Sequence, residues 1–211
     1  MTDKLESLLA ANRDWAASVT AEDPEFFARL ATGQSPDYLW IGCADSRVPA
    51  TQVTGRKPGE MFVHRNVANL VVHTDLSCLT VMQYAVDVLK VKHIVVAGHY
   101  SCGGVAAAFG EGDTGLIDNW LRNIKDVLHR HQAEIDALPD ESAKVDRLCE
   151  LNVMAQVDNV CRTTIVQNAW RRAQPLTVHG LIYSLQDGLL TDLDCTVDGP
   201  GGLDKAYRVQ G

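Results

Sequence analysis

Leu5, Leu8, Leu9, Trp15, Ala16 and Val19 recur near helical spacing through a polar stretch, with Asn12 the one polar member of the stripe. That spacing predicts an N-terminal amphipathic helix. A second short helix is expected from Asp23-Pro24, with Asp as N-cap, Pro at the first position and Gly33 as the stop. The pattern then changes. Tyr38-Leu39-Trp40-Ile41-Gly42-Cys43, Met61-Phe62-Val63-His64 and His93-Ile94-Val95-Val96-Ala97-Gly98-His99 are short apolar runs, which read as buried strands. Between the second and third, Thr74-Asp75 caps a helical pattern carrying Leu79, Met82, Val86 and Leu89. Long helical patterns follow at 116–133 and 142–173, and residues 176–183 and 188–197 read as a hairpin-like pair of strands.

Strands alternating with helices predict an α/β fold: a mainly parallel central β-sheet flanked by helices. The N-terminal helices have no strand beside them. Residues 1–35 are therefore expected to form a helical arm of a single domain spanning 1–211, packing on a partner subunit.

Composition narrows the function classes. The formal net charge is −8 and no block of Lys and Arg is present, which argues against nucleic acid or an anionic membrane as partner. An anionic substrate would have to meet cations placed locally. The opening MTDKLESLLAANRDWAAS lacks the basic region and unbroken apolar core of a signal peptide. No apolar run approaches the roughly 20 residues of a membrane span. A cytoplasmic protein is the expectation. In a reducing compartment the six cysteines are metal ligands, nucleophiles or small buried apolar residues rather than disulfide halves. Cys78, Cys149, Cys161 and Cys195 have no ligand partner at metal spacing and are expected to be structural.

Two segments carry chemistry: Cys43-Ala44-Asp45-Ser46-Arg47 and His99-Tyr100-Ser101-Cys102-Gly103-Gly104. Each lies just past the end of a predicted buried strand, where open α/β sheets place their binding crevice. If the two strands are neighbours, Cys43, His99 and Cys102 converge as a Cys₂His set. Catalytic zinc uses three such ligands and keeps one position open. Asp45 and Arg47 are spaced to form a bidentate ion pair beside them. On spacing alone, a buried cysteine with an incidental histidine, and a surface ion pair contributing little, remain open.

The segments together resemble the β-carbonic anhydrases. Residues 43–47 match that family's C-x-D-S-R motif, and His99-x-x-Cys102-Gly103-Gly104 matches its second motif. Phe62-Val63-His64-Arg65-Asn66-Val67-Ala68-Asn69 is similar to its R-N-x-A-N region. The resemblance implies one Zn²⁺ per subunit held by Cys43, His99 and Cys102, and reversible hydration of carbon dioxide to bicarbonate and a proton. Asp45 would orient the nucleophile, Arg47 would hold Asp45, and in the family the same Asp can swing onto the metal. Val67, Tyr84 and Gly103 are substrate-pocket positions by similarity, in a pocket built partly by a second subunit. A homodimer, or a homotetramer of paired dimers, is therefore implied.

Trp40, Arg65 and Tyr183 are similar to the trio that binds bicarbonate away from zinc in a bicarbonate-regulated, bacterial-type subset, the type II enzymes. That likeness implies low activity below neutral pH and inhibition by bicarbonate. His64 and His73 flank the site region as candidate proton carriers, whereas His93, His129, His131 and His179 read as structural or exposed. Two rival readings stand beside this one. A hydrolase of carbon disulfide or carbonyl sulfide would share the ligands. A zinc-stabilised binding or sensor protein would not need the Asp45–Arg47 pair, and its zinc would normally be closed by four protein ligands.

Overall fold

The computed structural model of the protein describes residues 2–209. The chain divides into two compact units, Met1–Ser35 and Pro36–Gly211.

The first unit is helical. α1 (Thr2–Glu22) carries Leu5, Leu8, Leu9 and Trp15 as exposed apolar side chains. α2 (Phe26–Ala31) begins later than the Asp23-Pro24 signal suggests. Pro24 and Glu25 form a turn closed by Phe26 N–H on Asp23 O at 3.1 Å, and the Asp23 carboxylate instead receives the Glu25 N–H and the Arg29 guanidinium. Trp15 meets Phe27 edge-on at 5.7 Å between ring centroids, which ties the two helices together.

The second unit begins with β1 (Tyr38–Cys43), α3 (Ala50–Val53) and β2 (Met61–Asn66). A tight turn at Val67–Asn69 leads to α4 (Leu76–Gln83), β3 (His93–His99) and α5 (Gly103–Ala107). Four helices follow: α6 (Ile117–Arg130), α7 (Gln132–Asp136), α8 (Glu141–Arg162) and α9 (Thr164–Arg171). The last strands are β4 (Thr177–Tyr183) and β5 (Leu190–Asp192).

The strands form one sheet in the order β2-β1-β3-β4-β5, parallel except for the β4–β5 pair. The chain runs from β1 to β2 on one side and then crosses to β3 on the other. The crevice at the carboxyl ends of β1 and β3 is therefore a topological switch point. Leu39, Ile41, Ile94, Val96, Val178 and Ile182 are fully buried on one face, in the same core as Leu148, Val153, Val157 and Val160 of α8. A smaller cluster of Trp40, Ala50, Val95 and Ala97 covers the other face. β4 alternates buried and half-buried residues, so double coverage holds for β1 and β3 and not for the whole sheet.

Three helical patterns break where periodicity alone runs on. The 142–173 pattern divides at Thr163, which leaves helical geometry (φ −65°, ψ 146°) and caps α9 through its hydroxyl, accepting from Val166 N–H at 3.3 Å. The 116–133 pattern divides at His131 into α6 and α7. Asp75 caps α4 as predicted, accepting from Ser77 and Cys78 N–H, but residues 84–88 continue as a π-helical turn rather than an α-helix.

Candidate metal centre

Cys43 ends β1, His99 ends β3, and Cys102 lies three residues beyond in a turn where Ser101 takes a left-handed φ of 55°. That turn is pinned from α8 and β4. Asp146 accepts from Ser101 N–H at 3.1 Å, Glu150 accepts from the Tyr100 hydroxyl at 2.7 Å, and Tyr183 O accepts from Tyr100 N–H at 3.0 Å. The sulfurs of Cys43 and Cys102 stand 3.9 Å apart, and one nitrogen of His99 lies within 4.8 Å of both. All three residues are buried.

The donor set fits a tetrahedral metal. Two thiolates each about 2.3 Å from one tetrahedral ion would be about 3.8 Å apart, close to the separation found. His99 Nδ1 contacts Tyr100 O at 2.9 Å, which makes Nδ1 the protonated nitrogen and leaves a lone pair on Nε2. Nε2 is buried with no hydrogen-bond partner. An orphaned acceptor beside two buried sulfurs is costly unless a cation completes it. Cys43 ionises easily for a buried thiol. Its hydrogen bond with Cys102 is the main cause and outweighs desolvation. The Cys43 charge and burial push Cys102 in the opposite direction.

Asp45 stands beside this cluster, Oδ2 lying 3.8 Å from His99 Nε2. The predicted pair with Arg47 is formed in bidentate geometry. Arg47 Nε donates to Oδ1 at 2.9 Å and Nη2 to Oδ2 at 2.7 Å, and the Arg47 backbone N–H adds a third bond to Oδ1 at 2.9 Å. These hydrogen bonds hold the Asp45 carboxyl well below the ordinary carboxylate range.

The other predicted positions divide. Val67 and Gly103 adjoin the metal-ligand turn: a Cβ on Gly104 would stand 2.9 Å from the Val67 side chain. Tyr84 packs on Phe62 at 5.7 Å and lines a separate cleft of ≈ 770 Å³ with His73, Leu79 and Ile165. Trp40, Arg65 and Tyr183 occupy one face of the sheet. Trp40 pairs with Val63 and Val95, Arg65 pairs with Gly42, and Tyr183 pairs with His99, so their side chains share parity. The indole lies over Gly42, where a Cβ would stand 2.2 Å from Trp40 Nε1, and only glycine leaves that room. Trp40 Nε1 is buried without a hydrogen-bond partner. Arg65 Nε donates to Cys43 O at 2.8 Å, and its Nη2 donates to Asp45 O.

His64, Asp75 and Cys78 form a second group of metal-type side chains among the described residues, which spacing in sequence had not brought together. Asn66 decides its chemistry. Its Oδ1 accepts from Leu70 N–H, so its Nδ2 is the atom that faces His64 Nε2 at 3.2 Å. Nε2 must accept there, and the proton sits on Nδ1. Asp75 meanwhile caps α4. These groups have structural employment already.

The carbonic anhydrase family model matches residues 38–190. A carbonic anhydrase of Emericella nidulans is 50% identical over 204 residues, covering 97% of this chain and 89% of that one. The structure of a Coccomyxa β-carbonic anhydrase in complex with acetazolamide superposes with a TM-score of 0.89 at 44% identity, covering 92% of this chain and 88% of that one. A Sordaria macrospora β-carbonic anhydrase, one of two described as tetrameric, gives a TM-score of 0.89 at 41% identity, with 92% and 99% covered. No helix among the described residues is long and apolar enough to cross a membrane.

Proposed function

The chain belongs to the β-class carbonic anhydrases, enzymes of carbon dioxide hydration, and we propose that it works through one zinc ion held by Cys43, His99 and Cys102. The observation that carries this reading is the meeting of two buried sulfurs and an orphaned imidazole nitrogen beside the Asp45–Arg47 pair. Bound there, zinc supplies Lewis acidity that brings the pKa of water toward neutrality, to about 7 where the ligands are imidazoles and higher where two thiolates donate charge.

The remaining chemistry belongs to the chain. Asp45 Oδ2 accepts a hydrogen bond from the attacking oxygen and aims a lone pair at the carbon of carbon dioxide. Arg47 fixes the carboxylate in that orientation. Carbon dioxide and water give bicarbonate and one proton. Asp45 does not retain that proton, because Arg47 keeps the carboxylate ionised, and the proton leaves to solvent. Val67 offers an apolar wall to an apolar substrate beside the backbone at Gly103. Tyr84, 43% exposed, contributes once a second copy completes the pocket. The Sordaria macrospora relative described as tetrameric supports a homodimer or homotetramer. Stopped-flow hydration tests the orienting role: Asp45→Asn should lose at least about a hundredfold in turnover with zinc retained, and full activity in that variant would remove Asp45 from the mechanism.

A second reading concerns control: bicarbonate binding at Trp40, Arg65 and Tyr183. Support comes from the unpartnered indole N–H and from the two carbonyls that occupy Arg65. An anion that draws Arg65 off Cys43 O and Asp45 O would free the Asp45 segment and favour a closed state with Asp45 turned toward the metal. Tyr183→Ala should then weaken inhibition by bicarbonate and flatten the loss of activity below neutral pH. An unchanged inhibition constant would exclude this control.

A further inference from the structure

The turn after β2 is strained and lies between the two halves of the metal centre. Ala68 (φ 62°, ψ 31°) and Asn69 (φ 50°) both take left-handed backbone geometry, which is unfavourable for a non-glycine residue. On one side the turn meets the Cys43 segment, since Asn66 O accepts from Ala44 N–H at 2.8 Å. On the other it meets the Cys102 turn, since a Cβ on Gly104 would stand 3.2 Å from the Ala68 side chain.

What holds this turn is a row of amides on α8. Asn152, Gln156 and Asn159 are spaced i, i+4, i+7 and so share one helix face. Asn152 Nδ2 donates to Ala68 O at 3.0 Å. Gln156 Oε1 accepts from Val71 N–H at 2.9 Å, and Asn159 Nδ2 donates to Val71 O at 3.1 Å. The amides are also joined to each other: Gln156 Nε2 donates to Asn152 Oδ1 at 3.0 Å, and Asn159 Nδ2 donates to Gln156 Oε1 at 3.1 Å. Asn152 is 0% exposed and Gln156 2%. Burying amides is unfavourable unless their hydrogen bonds are met, and a helix face serving only the core would carry Leu or Val there. Trp120 Nε1 anchors the start of the same turn on Val67 O at 2.8 Å.

We infer that Asn152 and Gln156 are positioning residues of the metal centre: through the Ala68–Val71 backbone they hold the turn that sets the Cys43 segment against the Cys102 turn. Gln156 fixes the Asn152 amide, Asn152 fixes the Ala68 carbonyl, and the turn so held touches both ligand-bearing segments. Such partners of a ligand tune how strongly it donates and how firmly it stays, typically by about 10–100-fold in metal affinity. The inference rests on the proposed metal reading, and its test separates the two.

The probe is cobalt(II) loaded in place of zinc, because a thiolate–cobalt charge-transfer band reports directly on the Cys–metal bond. Wild-type protein without a thiolate band would overturn the metal reading and this inference with it. Given that band, Asn152→Leu should shift it and raise the rate of cobalt loss to a chelator at least about tenfold. Gln156→Met, which keeps the volume and removes the amide that donates to Asn152, should act in the same direction and serves if the leucine variant does not fold. Leu176→Ala, a buried residue just before β4 at the end of the sheet away from the metal centre, controls for lost stability and should leave band and rate unchanged. Wild-type spectra and rates in both ladder variants, or an equal change in Leu176→Ala, would overturn the positioning role.

Discussion

Replacing Arg47 by lysine separates charge from orientation at the Asp45 carboxylate. Three N–H groups of Arg47 bind Asp45: the backbone N–H and Nε on Oδ1, and Nη2 on Oδ2. Lysine keeps the backbone bond and a positive charge but lacks the planar fork. The carboxylate then regains rotation about its last torsion. A productive window of about 20–40° in a twofold range of 180° leaves about one-tenth to one-fifth of the population aligned. A partial loss of the χ1 preference multiplies this by up to about three. The expected fall in kcat is therefore about 5- to 30-fold. Arg47 is more than half exposed, so stability should hardly move, with the melting temperature within about 2 °C of wild type. Stopped-flow hydration with a pH indicator, at substrate concentrations that separate kcat from KM, measures the effect. Undiminished kcat in Arg47→Lys would refute the orientation argument. So would a loss that lies wholly in KM.

Other expectations follow from burial. Leu148→Ala opens a hole beneath the sheet at a fully buried position and should cost about 2–5 kcal/mol, read as a lower urea midpoint at unchanged slope. Burial depresses the His64 and His179 pKa values below the unfolded value of about 6.5, with the neighbouring His93 adding to the shift at His179. The unfolded chain therefore binds more protons in this range. Stability is full above about pH 6.5 and is lost as pH falls through that value toward the folded pKa values. The urea midpoint should drop between about pH 7.5 and pH 5.5, and His179→Gln should flatten that slope; an equal slope would remove His179 from the account.

Much of this was legible in the residues because burial writes simple patterns. The apolar runs at 38–43 and 93–99 coincide with β1 and β3, since both strands are covered on both faces and neither needs a polar alternate. The two metal-type motifs are local, and each falls at a strand end, so the topology alone brings them together. Helix boundaries were less legible. A cap such as Thr163 acts through one hydroxyl and leaves the apolar period on either side intact. The amide ladder was missed because Asn152, Gln156 and Asn159 face segments some 85 residues away in the chain, and their partners are backbone groups with no sequence signature. The available signal was polarity at core-facing positions of α8, where an apolar period would otherwise continue.

The most direct test of the central claim pairs metal content with turnover in wild type and in Cys43→Ser. Zinc by mass spectrometry of dialysed protein and carbon dioxide hydration at about pH 8.5 are measured on the same samples. The account predicts one zinc per chain and fast hydration in the wild type. It predicts loss of both in Cys43→Ser, while the sheet stays folded by circular dichroism. A folded Cys43→Ser protein that kept stoichiometric zinc and wild-type turnover would contradict the assignment of the metal centre.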